Sequence, residues 1–133
     1  MKDLDIAIIG AGIGGLSAAL ALQKLGFRAR VLEQAPQLAE VGAGLSLSPT
    51  AAHGLDWLGV KPVLEAKPYK PEDQCMGHWQ DARPLGWVNR GQSLLDKYGE
   101  RYYLIHRADL HECHAALVRA NDTDAILPAR RAT

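Results

Sequence analysis

The chain has 133 residues, with 15 basic and 15 acidic side chains and a formal net charge of zero. That length suits one modest domain with a real core, and the charge balance argues against nucleic acid or an anionic membrane as partner. No apolar run is long enough to span a bilayer, and the N-terminus is a short charged lead rather than a signal peptide.

Residues 6–9, all apolar, predict a parallel strand covered on both faces. Gly10 allows a tight turn out of it, Gly12 lets backbone approach a pyrophosphate, and Gly15 lets the next helix pack close to the strand. That helix carries apolar Leu16, Ala19, Leu20, Leu22 and Leu25, and Gly26 sits where a helix ends. Its N-terminus offers N–H groups and the positive dipole end to a phosphate. A second strand, 29–32, ends at Glu33, 18 residues after Gly15, where a carboxylate can accept ribose hydroxyls. Strand, turn, helix and acid agree on a dinucleotide-binding βαβ unit rather than a tight turn that binds nothing.

A loop follows over 34–40. The small residues Gly42, Ala43 and Gly44 imply close approach of backbone to a neighbouring strand or a ligand. Leu45 and Leu47 alternate with serines as in a strand. Ser48 and Pro49 then cap a helix over 49–58 that Gly59 ends. Residues 60–66 form a further helical stretch, broken by Pro68 and Pro71. Residues 75–80 and 84–88 fit a β-hairpin. A helical turn at 93–98 and a strand at 102–105 come next. His106, Arg107 and Asp109 open a helix with Leu110, Cys113, Leu117 and Val118 on one face. A short strand at 125–127 precedes a tail, 128–133, with no folding signal, expected to fray. Trp79, Trp87, Tyr102 and Tyr103 read as core or sheet packing. Cys75 and Cys113 make no disulfide framework and are expected reduced in a cytoplasmic protein, although a bridge between them stays open.

Several stretches together resemble a known family: Gly10-Ala11-Gly12-Ile13-Gly14-Gly15-Leu16, Glu33, Val41-Gly42-Ala43-Gly44-Leu45, Ser48-Pro49, and Leu104-Ile105-His106-Arg107-Ala108-Asp109-Leu110-His111. Their order and spacing resemble the N-terminal part of the single-component FAD-dependent aromatic hydroxylases, the salicylate hydroxylase and para-hydroxybenzoate hydroxylase family. The resemblance implies an α/β fold: a Rossmann-like FAD-binding βαβ unit with an inserted β-hairpin, incomplete relative to the family. It implies one FAD-binding fragment over 1–133, with 68–103 the start of the substrate-side insertion. The family uses FAD, NAD(P)H as electron donor and O2 to hydroxylate a small aromatic substrate, a phenol or an aromatic acid. By resemblance, Gly10, Ala11, Gly12, Ile13, Gly14 and Gly15 hold the FAD pyrophosphate, and Glu33 with Gln34 beside it holds the adenosine ribose. Gly42, Ala43 and Gly44 run near the ribityl chain or flavin ring, and Arg107 bonds the ribityl or phosphate part.

The departures carry weight too. The family's later Asp-Gly and Gly-Asp cofactor segments are absent, so the chain reads as a fragment expected to hold FAD weakly or not at all and not to hydroxylate. Thr50 replaces a frequent Asn, His114 stands where Leu is usual, and Leu127-Pro128 is an odd continuation of a strand. No nucleophile–base constellation and no catalytic side chain emerge. His111 and His114 are three apart, but no further ligand supports a metal. Two alternatives remain: a non-catalytic nucleotide-binding module that self-associates through an open sheet edge, and a fragment of an NAD-dependent dehydrogenase. In the latter, Glu33 would favour NAD over NADP by repelling a 2′-phosphate.

Overall fold

The computed structural model describes residues 2–38, 42–66 and 69–132. Val41 of the glycine segment, the loop residues Ala39 and Glu40, and Pro68 lie outside the described residues. The chain divides into two units, residues 1–43 with 106–133, and residues 44–105.

In the first unit, β1 (Lys2–Ile9), α1 (Ile13–Lys24) and β2 (Phe27–Leu32) form the expected βαβ unit. α5 (Arg107–Asn121) and β7 (Ile126–Leu127) complete the unit. The sheet order is β1-β2-β7, all parallel, with Ile8 opposite Val31 and Val31 opposite Ile126. α1 packs on β1, β2 and α5. Leu16, Ala19, Leu20, Val31, Leu110, Ala115 and Val118 are buried there. Buried alanines on both helices leave out bulk that would separate them. β1 departs from the expected two-sided burial: Ile6 and Ile8 are half-buried, whereas Ile9 is 64 % exposed. α1 covers the Ile8 face, and no described element covers the Ile9 side chain.

In the second unit, β3 (Gly44–Leu47) pairs with β6 (Tyr103–His106). α2 (Pro49–Trp57), α3 (Lys61–Ala66) and α4 (Gln92–Tyr98) are its helices. Ser48 caps α2 as predicted, its hydroxyl accepting from Ala51 N–H, with Pro49 in the first turn. Leu47, Ala52, Leu55, Val60, Leu64, Tyr103 and Ile105 form its core. β4 (Asp73–Gly77) and β5 (Pro84–Asn89) make the predicted hairpin, antiparallel, with Cys75 opposite Trp87. The expectation of core or sheet packing is not met by its two tryptophans. Trp79 is 85 % and Trp87 67 % exposed, because both faces of this two-stranded ribbon stand clear of the unit's core. Tyr103 is buried, and Tyr102 lies under the Arg90 guanidinium, 4.6 Å from the ring centre.

Candidate nucleotide-binding site

The turn between β1 and α1 uses its glycines for different reasons. Gly10 has φ +95°, in the left-handed region where a side chain strains the backbone, and its N–H donates to the Leu32 carbonyl at 2.8 Å. A Cβ on Gly15 would lie 2.0 Å from the Gly10 carbonyl oxygen and 3.3 Å from Ile8 Cγ2, so only glycine lets α1 start this close to β1. Gly12 and Gly14 face open space, with nothing within 4 Å of a Cβ. Gly12 is the N-cap of α1 and offers no side-chain cap to the first-turn N–H groups, Ile13 among them. That geometry suits an anion at the helix start.

Glu33 sits at the end of β2 and reaches back into the turn. Its Oε2 accepts from Ala11 N–H at 2.7 Å and its Oε1 from Ala35 N–H at 2.9 Å. The Ala35 and Ala11 N–H groups hold the carboxyl below its usual range, outweighing burial. An oriented carboxylate with lone pairs to spare can accept from hydroxyls. Beside it lies a cavity of about 220 Å³ lined by Gly10, Glu33, Gln34, Arg130 and Arg131 among others. The arginines belong to the tail, 128–133, for which the sequence predicts fraying. Instead Ala129 N–H donates to the Ala35 carbonyl at 3.0 Å and Arg130 N–H to the Glu33 carbonyl at 2.8 Å. These backbone bonds leave no composition signal, so nothing in the tail's own sequence announces them.

Gly42 makes room for Arg107. A Cβ there would lie 3.0 Å from Arg107 Cβ and 3.5 Å from its Cγ. The Ala43 carbonyl accepts from Arg107 N–H at 3.2 Å. Gly44 opens β3 in the second unit, where its Cβ would make only ordinary contact, 3.9 Å from the Ile105 carbonyl oxygen. His106 caps α5, its Nδ1 accepting from Ala108 N–H at 3.3 Å. The ring nitrogens of His111 and His114 turn to different carbonyls. His111 Nε2 lies 2.6 Å from the Ala11 oxygen, and His114 Nδ1 lies 2.7 Å from the Leu110 oxygen.

Residues 8–54 match the NAD(P)-binding Rossmann-like domain model. Over 120 residues, 90 % of this chain, the sequence is 40 % identical to 3-amino-4-hydroxybenzoate 2-monooxygenase of Streptomyces cremeus, covering 30 % of that protein. It is 39 % identical over 109 residues, 82 % of this chain, to 3-hydroxybenzoate 6-hydroxylase of Polaromonas naphthalenivorans, covering 27 % of it. Over this stretch the chain is similar to aromatic-ring monooxygenases and hydroxylases. Among solved structures, Klebsiella pneumoniae HpxO complexed with FAD and uric acid superimposes with a TM-score of 0.78 at 25 % identity, over 96 % of this chain and 31 % of that one. The chain therefore spans about 30 % of the length of the first curated relatives it matches.

The residues present fit the adenosine diphosphate end of FAD. The open Gly12 and Gly14 positions and the uncapped α1 start suit the pyrophosphate, and the anchored Glu33 suits ribose. No described helix is long and apolar enough to cross a membrane. Cys75 and Cys113 form no disulfide among the described residues.

On α5 the buried face is Leu110, His111, His114, Ala115 and Val118, whereas Cys113 and Leu117 are only half-buried. The face predicted from the sequence is therefore rotated: His111 turns inward to the Ala11 carbonyl, and His114 is buried with its Nδ1 on the Leu110 carbonyl one turn back in its own helix. His114 is fully buried, and its Nε2 has no hydrogen-bond partner among the described residues. Because Nδ1 donates to a carbonyl, Nε2 is a bare acceptor. Burial pushes the imidazole pKa down, against the Leu110 carbonyl, which raises it. His114→Leu is expected to stabilise the chain by about 1 kcal/mol, since an orphaned buried acceptor costs more than one net hydrogen bond returns. The folded pKa lies below the unfolded one, so the wild type loses stability as pH falls through the unfolded value of about 6.5. The Leu variant lacks that loss. Urea melts at pH 7 and pH 5 check both parts.

Proposed function

We propose that these residues supply the adenosine diphosphate end of the FAD site in a monooxygenase that uses NAD(P)H and O2 to hydroxylate a small aromatic ring. The observation that carries the reading is the Ala11–Glu33 contact at 2.7 Å, which ties the glycine turn to the ribose-side acid. When bound, FAD supplies the redox and oxygen-transfer chemistry. The chain's residues bind and orient it. Gly10 to Gly15 present backbone N–H groups to the pyrophosphate, and Glu33 accepts from the ribose. In this reading Arg107 neutralises phosphate or bonds the ribityl chain, held in place by Gly42 and Ala43. Gly44 lies near the ribityl chain or flavin, and residues 68–103 begin the substrate-side part.

Because the chain spans about 30 % of its relatives' length, we expect these 133 residues alone to bind FAD about as weakly as ADP and not to hydroxylate. Calorimetric titration with FAD, ADP and NAD, together with an NADH oxidation assay in the presence of 3-hydroxybenzoate, tests this. A yellow protein that oxidises NADH in response to the acid would overturn the inactivity, and NAD binding in preference to FAD would overturn the flavin reading. A second reading, a self-associating nucleotide-binding module, is favoured by exposed Leu4 and Ile9 on β1. Light scattering that finds a well-folded monomer excludes it.

A further inference from the structure

We propose that His111 is a positioning residue for the phosphate-binding turn: its imidazole holds the Ala11 carbonyl so that the next N–H, on Gly12, is aimed at the pyrophosphate. The proposal rests on the FAD reading above. His111 is a buried residue of α5, 100 positions along the chain from Ala11. A carbonyl only accepts, so the nitrogen 2.6 Å from the Ala11 oxygen carries the proton and donates it. The other polar group of the same residue is also held, since Ala11 N–H donates to Glu33 Oε2 at 2.7 Å. Two side chains from separate elements thus clamp one buried alanine on both its backbone groups.

The consequence for Gly12 follows from peptide geometry. No peptide bond among the described residues is cis, and in a planar trans peptide the carbonyl and the following N–H point in opposite directions. With the Ala11 carbonyl drawn onto His111, the Gly12 N–H points away from that helix. Gly12 has open space around it. Left alone, a peptide beside glycine flips at little cost, because glycine tolerates both signs of φ. His111 removes the flipped alternative before the ligand arrives, so binding need not supply the ordering.

Titration of the 133-residue chain with ADP and with adenosine tests the role, because only ADP carries the pyrophosphate. His111→Leu is expected to weaken ADP by about tenfold and to leave adenosine within about twofold, the scale of one charge-assisted hydrogen bond. His111→Gln, which returns an N–H donor near the Nε2 position, is expected to recover most of the ADP affinity. Equal loss for both ligands, or no rescue by Gln, would reduce His111 to a packing residue and overturn the proposal. Should His111→Leu fail to fold, the ¹⁵N spectrum of the wild-type imidazole decides: a protonated Nε2 supports the clamp, and a bare Nε2 overturns it. If the wild type binds neither ADP nor FAD, the flavin reading falls and this proposal with it. If the wild type binds ADP and the variants bind it equally well, only the role of His111 falls.

Discussion

Gly15→Ala is expected to destabilise the chain by about 3 kcal/mol or to prevent folding, although alanine is normally the better helix former by about 1 kcal/mol. The added methyl would sit 2.0 Å from the Gly10 carbonyl oxygen. That neighbour is backbone, fixed by the left-handed Gly10 and by its N–H bond to Leu32, and it cannot swing away as a side chain could. Either α1 moves off β1 or the turn opens, and both displace the N–H groups at the start of α1. ADP affinity is therefore expected to fall with stability. Gly14→Ala is the control. It lies one residue away in the same helix with nothing within 4 Å of the new Cβ, so it should be neutral or stabilising by up to about 1 kcal/mol. Urea melts of the two variants side by side check the pair, and equal behaviour would mean that α1 does not pack on the turn as described.

Glu100→Gln is expected to cost about 2 kcal/mol at neutral pH, and to remove most of the acid sensitivity of the second unit. Glu100 is 4 % exposed and anchors a polar network. Its Oε2 accepts from Lys61 Nζ at 2.8 Å, and its Oε1 accepts from Arg101 N–H at 2.9 Å and from the Tyr103 hydroxyl at 2.8 Å. Burial by itself would raise the carboxyl pKa. The Lys61 ammonium, the Arg101 N–H and the Tyr103 hydroxyl outweigh it and bring the value down to about 2. A folded pKa below the unfolded one means that the contribution is present above about pH 4.5 and is lost as pH falls towards 2.

The size of that shift corresponds to about 3 kcal/mol. The Lys61 side chain is 38 % exposed, however, and can turn to water or to Asp56 4.0 Å away, which lowers the cost of losing its partner. In the Gln variant the new amide NH2 faces the ammonium, donor against donor. Tyr103 has one phenolic proton for two carboxylates, Glu100 at 2.8 Å and Glu65 at 3.0 Å, so it donates to one at a time. Denaturant melts from pH 7 to pH 2.5 check the prediction. A wild-type curve as flat as the variant's would show that Glu100 gains nothing from its ionised form.

Which features could be read in advance follows from how local their causes are. The βαβ unit was legible because each signal lies within a few residues of the structure it dictates: an apolar run for β1, a glycine at each tight place, a capless helix start and an acid at the end of β2. Ser48 and Pro49 were legible for the same reason. The aromatics of the hairpin were misread because residue type reports β preference but not whether a second layer covers the strand. The tail was misread because backbone bonds hold it, and these carry no residue signature.

For this protein, then, local spacing alone determined a nucleotide-binding turn and its ribose-side acid, since glycine sterics and strand–helix periodicity act over neighbouring residues. Only the tertiary structure decided what holds that turn in shape. His111 reaches Ala11 across 100 residues of chain, Arg130 pairs with the backbone of Glu33, and His114 is sealed inside beside them in sequence but not in role. Contacts between residues so far apart depend on how the helices pack on the sheet, and no periodicity in the sequence encodes which side chain meets which carbonyl.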